Sequence, residues 1–183
     1  MKKKEGKVGI FIAIMSLQIV VIIIAYSLKL NQLEFTRTLV EDSLVNANLA
    51  AATIDLEEYG ATNNIINNDT AKSFNDYSVS LKEGLGLDNS FMPDENSFIK
   101  SKVVVERFII YSVLGNDILM ASRDTNGNFT NTVYKDQVGI MKTPDGFLIK
   151  DTTVYSQISF SVHGLMNQVF NVDEENSVAI TNK

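Results

Sequence analysis

The chain has 183 residues, a formal net charge of -6, one histidine and no cysteine. Zero cysteine excludes disulfides, zinc-thiolate sites and thiol nucleophiles, so stability rests on core packing. Residues 1–7 carry +3 and residues 8–28 carry no charge, which leaves -9 on the remainder. Phosphate binding needs a basic face, so this distribution argues against nucleic acid as a partner.

The leader MKKKEGK sets four lysines against one glutamate. Val8 to Leu28 follows without a charged residue, and its clearly polar positions are Ser16, Gln18 and Ser27. Its length matches the roughly 20 apolar residues that cross a bilayer as a helix, the form that satisfies its own backbone hydrogen bonds there. Lysines before the span predict a cytoplasmic N-terminus, with the remaining chain outside or facing the cell wall. A cleaved secretory signal is the rival reading, since Ala25-Tyr26-Ser27 resembles a small-x-small cleavage site. The run is longer than the usual apolar region of such a signal. Gln18 is a candidate hydrogen-bonding contact with another membrane helix, worth about 1 kcal/mol.

No Pro or Gly occurs between Ser27 and Tyr59. Leu30, Leu33, Val40, Leu44, Ala47, Ala51 and Ile54 fall at three- and four-residue steps if Arg37 fills the gap. That period predicts an amphipathic continuation of the membrane helix over 29–59. The whole is one helix of about 50 residues, or ~75 Å at 1.5 Å per residue. Leu33, Val40, Leu44, Ala47, Ala51 and Ile54 are its candidate packing face on an exported head, residues 60–183.

The head begins with an Asn-rich loop after Gly60. Asp69 or Asn68 caps a second, short helix over DTAKSFNDYSVSLKEGLGL, with Ala71, Phe74, Ser78 and Leu81 on one side. Gly84 stands where a C-terminal cap belongs. From Lys102 the period changes, and KVVVERFIIYSVL reads as a strand. Gly115-Asn116-Asp117 is a turn, DILMASRD a second strand, and the Asn126-Gly127 pair a hairpin signal before FTNTVYKD. Thr143-Pro144-Asp145-Gly146 is another turn. FLIKDTTVYSQISFSVHGL alternates as a strand. QVFNVDEENSVAITNK reads as two short extended pieces around an acidic turn, Asp173 to Asn176. Helices first and strands later predict an α+β fold: a long N-terminal helix packed on an antiparallel sheet, with a second short helix.

Residues able to carry chemistry are sparse. His163, the one histidine, lies in a strand-like run with no serine elbow, and reads as a strand-end or packing residue. Glu41/Asp42, Glu57/Glu58 and Asp94/Glu95 are adjacent pairs that do not face each other on a helix. Asp124-x-Asn126-x-Asn128 has oxygen ligands for a hard cation, but Gly127 and Lys135 break the EF-hand spacing, so the stretch reads as a plain turn. No phosphate-binding glycine loop or dinucleotide fingerprint is present. The expectation is a protein that is not an enzyme, with no cofactor and no metal.

A basic leader, an apolar helix with an amphipathic extension and an α+β head together resemble type IV pilins and pseudopilins, including TadE-like minor pseudopilins. The resemblance covers the whole layout, while its specific motif covers residues 1–28. It implies processing after a glycine that follows basic residues, for which Gly6 and Gly9 are the candidates. The fifth residue after those positions is Phe11 or Ile14, where major subunits carry a glutamate. The resemblance is therefore to a minor subunit. It implies a non-enzymatic subunit of a pilus, Tad-like or pseudopilus assembly. Its partners are membrane lipid, other pilin-like subunits and an assembly platform. The alternative is a single-pass, membrane-tethered binding or accessory module outside any filament.

Overall fold

A computed structural model describes residues 2–52, 69–95, 97–124, 126–163 and 168–180. Its elements are α1 (Lys2–Ala51), α2 (Thr70–Leu85), β1 (Val104–Leu114), β2 (Asp117–Arg123), β3 (Phe129–Tyr134), β4 (Thr152–His163) and β5 (Val169–Ile180). The chain divides into two units, Met1–Thr38 and Leu39–Lys183. The expected 29–59 extension of the helix is seen to Ala51; residues 53–59, Ile54 and the Gly60 loop lie outside the described residues.

The strands form one antiparallel sheet in the order β3-β2-β1-β4-β5, an α+β arrangement with the two helices. β1 is central and carries apolar side chains on both faces. Phe108 and Ile110 face one side, Ile109 and Tyr111 the other, and both sets are covered. On the first side Val40, Leu44, Ala47 and Ala51 of α1 join Tyr77, Leu81 and Leu85 of α2 over Phe108, Ile110, Val154 and Ile158. On the second side Val138, Met141 and Ile149 lie against Tyr111, Ile118 and Tyr155. These three belong to the 135–151 connection, which carries the chain from β3 at one edge across to β4. A bulge between Val105 and Arg107 admits Glu106 as the extra residue and keeps both faces in phase with β4.

Turn chemistry fixes the connections. Gly115 takes φ +61 in the two-residue β1–β2 loop. Asp124 accepts backbone N–H bonds from Asn126 and Asn128 at 2.9 and 2.8 Å and so closes the β2–β3 turn. Thr143 and Asp145 bond side chain to side chain, and the Gly146 N–H donates to the Thr143 carbonyl at 2.9 Å.

Three expectations are corrected. The buried face of α2 is Ser73, Tyr77, Ser78, Leu81 and Leu85, while Ala71 is exposed and Phe74 half-buried. Tyr77 draws the face round, since its ring packs on Phe108 at 5.0 Å. Gly84 is not the cap of α2: Gly86 is, at φ +63, with Asp69 capping the other end. Asp173 to Asn176 form no turn but lie within β5, paired with Ser159 to Ser156 of β4. The side chains of β5 alternate across the strand, so the acidic run did not need to leave the sheet.

Candidate membrane span and the buried end of its helix

The first unit is the N-terminal part of α1. Polar groups are scarce over residues 8–28, and two of the three there are tied into the helix. Ser16 Oγ donates to the Ala13 carbonyl at 3.0 Å and Ser27 Oγ to the Ile23 carbonyl at 2.9 Å. Such back-bonding satisfies a hydroxyl without water. Gln18 is exposed and makes no such bond among the described residues. Its neighbours Leu17, Val21 and Ile22 are exposed as well. The mean hydropathy of the most apolar 18-residue window is 2.6, and none of that window is buried. Among the described residues, therefore, one helix, near the N-terminus, is long and apolar enough to cross a membrane. Gly6 and Gly9, the candidate processing positions, both lie within the first turns of α1.

The second unit takes in the last part of α1, from Leu39. Of the candidate packing residues, Val40, Leu44, Ala47 and Ala51 are buried in the head core. Leu33 is exposed over 37% of its surface and is no part of that core. Ala47 and Ala51 are fully buried in that core, and their small side chains let the helix backbone approach its neighbours, so larger groups there would need space that close packing does not leave. The same closeness appears between the helices, where a Cβ added to Gly84 would sit 2.8 Å from Ser43 Oγ and 2.9 Å from its Cβ.

Two polar residues on the buried face escaped the sequence reading. Ser43 Oγ donates to the Leu39 carbonyl at 2.6 Å. Asn48, fully buried, connects three elements. Its Oδ1 accepts from Ser156 Oγ of β4 at 2.7 Å, and its Nδ2 donates to the Asn176 carbonyl of β5 at 3.0 Å. Buried amides are held in this way because an unpaired one is costly. Asn48 lies one residue from Ala47 in the apolar repeat, and that adjacency was the available signal. Tyr77 is buried nearby. Its hydroxyl makes no bond of good geometry among the described residues, and burial pushes its pKa up, with Ser156 partly opposing.

The opposite face of the sheet carries a second polar group. Tyr155 Oη donates to Glu175 at 2.7 Å, and Ser177 Oγ to Asp145 at 2.8 Å. Burial, aided by the Asp145 charge, pushes the Tyr111 pKa up to about 12. His163 ends β4 opposite Val169. No cluster of three metal-binding side chains occurs among the described residues. Comparison of the chain with protein-family models, curated proteins and solved structures found no match.

Proposed function

We propose that this chain is a non-enzymatic, membrane-anchored subunit of a type IV pilus, Tad-like or pseudopilus assembly, of the minor pseudopilin kind. The observation that carries this reading is that one helix, Lys2–Ala51, supplies both an uncovered apolar run and part of the head core. A simple tether would need only the first. Sharing one helix joins the anchor to the fold of the head, as a subunit requires if it is to move from lipid into an assembly without refolding.

In this reading the apolar run lies in lipid first and later among sister helices. Lipid and neighbouring helices are equally apolar, so the exchange is driven by packing and by interhelical hydrogen bonds. Gln18 offers one such bond. The lysines keep the N-terminus cytoplasmic, and the acidic head stands outside or toward the cell wall, with an assembly platform as partner. The reading needs no cofactor and no nucleic acid.

Mass spectrometry of the mature N-terminus tests it. A chain starting at Lys7 or Ile10 is expected, following cleavage after Gly6 or Gly9. An intact Met1 would favour the permanently tethered module, and a start at Leu28 would make the run a secretory signal.

A further inference from the structure

Among the described residues the sheet ends on β3 and β5, each bonded to a single neighbouring strand. Such a strand presents unpaired N–H and C=O groups along its outer side, a template for another strand. The two edges differ in chemistry. The middle of β5 is Asp173-Glu174-Glu175. Two β5 strands paired antiparallel about their midpoints would bring six carboxylates together, and like charges set opposite each other destabilise a sheet.

β3 reads Phe129-Thr130-Asn131-Thr132-Val133-Tyr134. It has no charge, no Gly and no Pro, and every residue but Asn131 is β-branched or aromatic. Thr130, Asn131 and Val133 are exposed, Val133 over 59% of its surface. Both signs stand at each end of the strand: Arg123 and Asp124 before it, exposed Lys135 and Asp136 after it. At Asp136 the backbone leaves the strand with φ +53, its N–H held by Asp117 at 2.9 Å. Antiparallel self-pairing sets the Lys135-Asp136 end of each copy at the Arg123-Asp124 end of the other, so each charge has one of opposite sign to meet. In a chain of net charge -6, this is the edge where two acidic heads can meet along an uncharged strand, without the six-carboxylate run that β5 would bring together.

We infer that β3 is a self-association edge, through which two copies of this chain pair antiparallel about Asn131 and Thr132 and join their sheets. This pairing depends on the edge alone and not on how the N-terminal helix is processed or used.

The absence of cysteine makes the test direct. Asn131→Cys, Thr132→Cys and, as the reference on the other edge, Asn171→Cys are prepared as full-length chains in nonionic detergent. Disulfide dimers are followed under mild oxidation. One of the two β3 variants should crosslink about tenfold faster than Asn171→Cys, because pairing replaces chance encounter by a high effective concentration. Adding Val133→Glu should return that rate to the reference, with the near-ultraviolet circular dichroism of the head tyrosines unchanged. Equal rates at both edges overturn the inference. So does a rate that Val133→Glu leaves unaltered.

Discussion

Replacing Asn48 with Ala should destabilise the head by several kcal/mol, although it deletes no apolar group. The side chain is fully buried and makes two hydrogen bonds, to Ser156 at 2.7 Å and to Asn176 at 3.0 Å. Truncation leaves the Ser156 hydroxyl and the Asn176 carbonyl without that partner. Each such group costs about 1–3 kcal/mol, so the loss is roughly 2–6 kcal/mol. Ser156→Ala removes one of the two stranded groups, so the double variant should lose about 1–2 kcal/mol less than the sum of the singles. The assay is urea unfolding of the detergent-solubilised chain, followed by near-ultraviolet circular dichroism. The chain has no tryptophan, and this signal comes largely from its six tyrosines. A loss below about 0.5 kcal/mol, the size of an ordinary surface change, would refute the assignment of Asn48 as the polar tie between α1, β4 and β5.

The remaining expectations concern other parts of the same architecture. Gly84→Ala should cost about 1–3 kcal/mol by overpacking against Ser43, and Ser43→Gly should restore most of it; thermal unfolding of the single and double variants decides this. Ala47→Glu or Ala51→Glu places a charge where both side chains are fully buried, so each should abolish the cooperative unfolding transition of the head; an unaltered transition would show that this face is not packed. Val21→Arg should impair membrane retention, since a mid-span charge costs about 2.5–3.5 kcal/mol on insertion scales, and unchanged membrane fractionation would count against the anchor. Alkaline pH should also weaken the fold. Tyr111 ionises near its ordinary value of 10.0 when unfolded but only at about 12 when folded. Its contribution is therefore complete below pH 10 and is lost as pH rises toward 12, by up to about 1.4 kcal/mol per pH unit for a single group. Urea midpoints measured at pH 8 and pH 11 check this, and Tyr111→Phe should reduce the difference without removing it, because burial raises the pKa of Tyr77 and Tyr155 as well.

Sequence alone determined the elements whose signal is local. The uncharged run Val8–Leu28 has the length of a membrane span, and the seven-residue stripe placed Val40, Leu44, Ala47 and Ala51 on one face. Asp69 as a cap and the turns at Gly115, Asn126-Gly127 and Asp145-Gly146 follow from the backbone preferences of those residues. Tertiary structure decided what depends on partners distant in sequence. The buried face of α2 was set by where the Tyr77 ring meets Phe108, not by the best apolar period. Gly84 is needed for the approach of Ser43, a contact no helical pattern contains. Asp173-Glu174-Glu175 resembles a turn in isolation, yet β4 offers it a full ladder of backbone hydrogen bonds while the carboxylates remain at the sheet edge. Asn48 looks like an interruption of an apolar stripe until Ser156 and Asn176 are brought to it from more than 100 residues away. Local chemistry fixes where elements begin and end, whereas a buried polar pair exists only once the fold has supplied both halves.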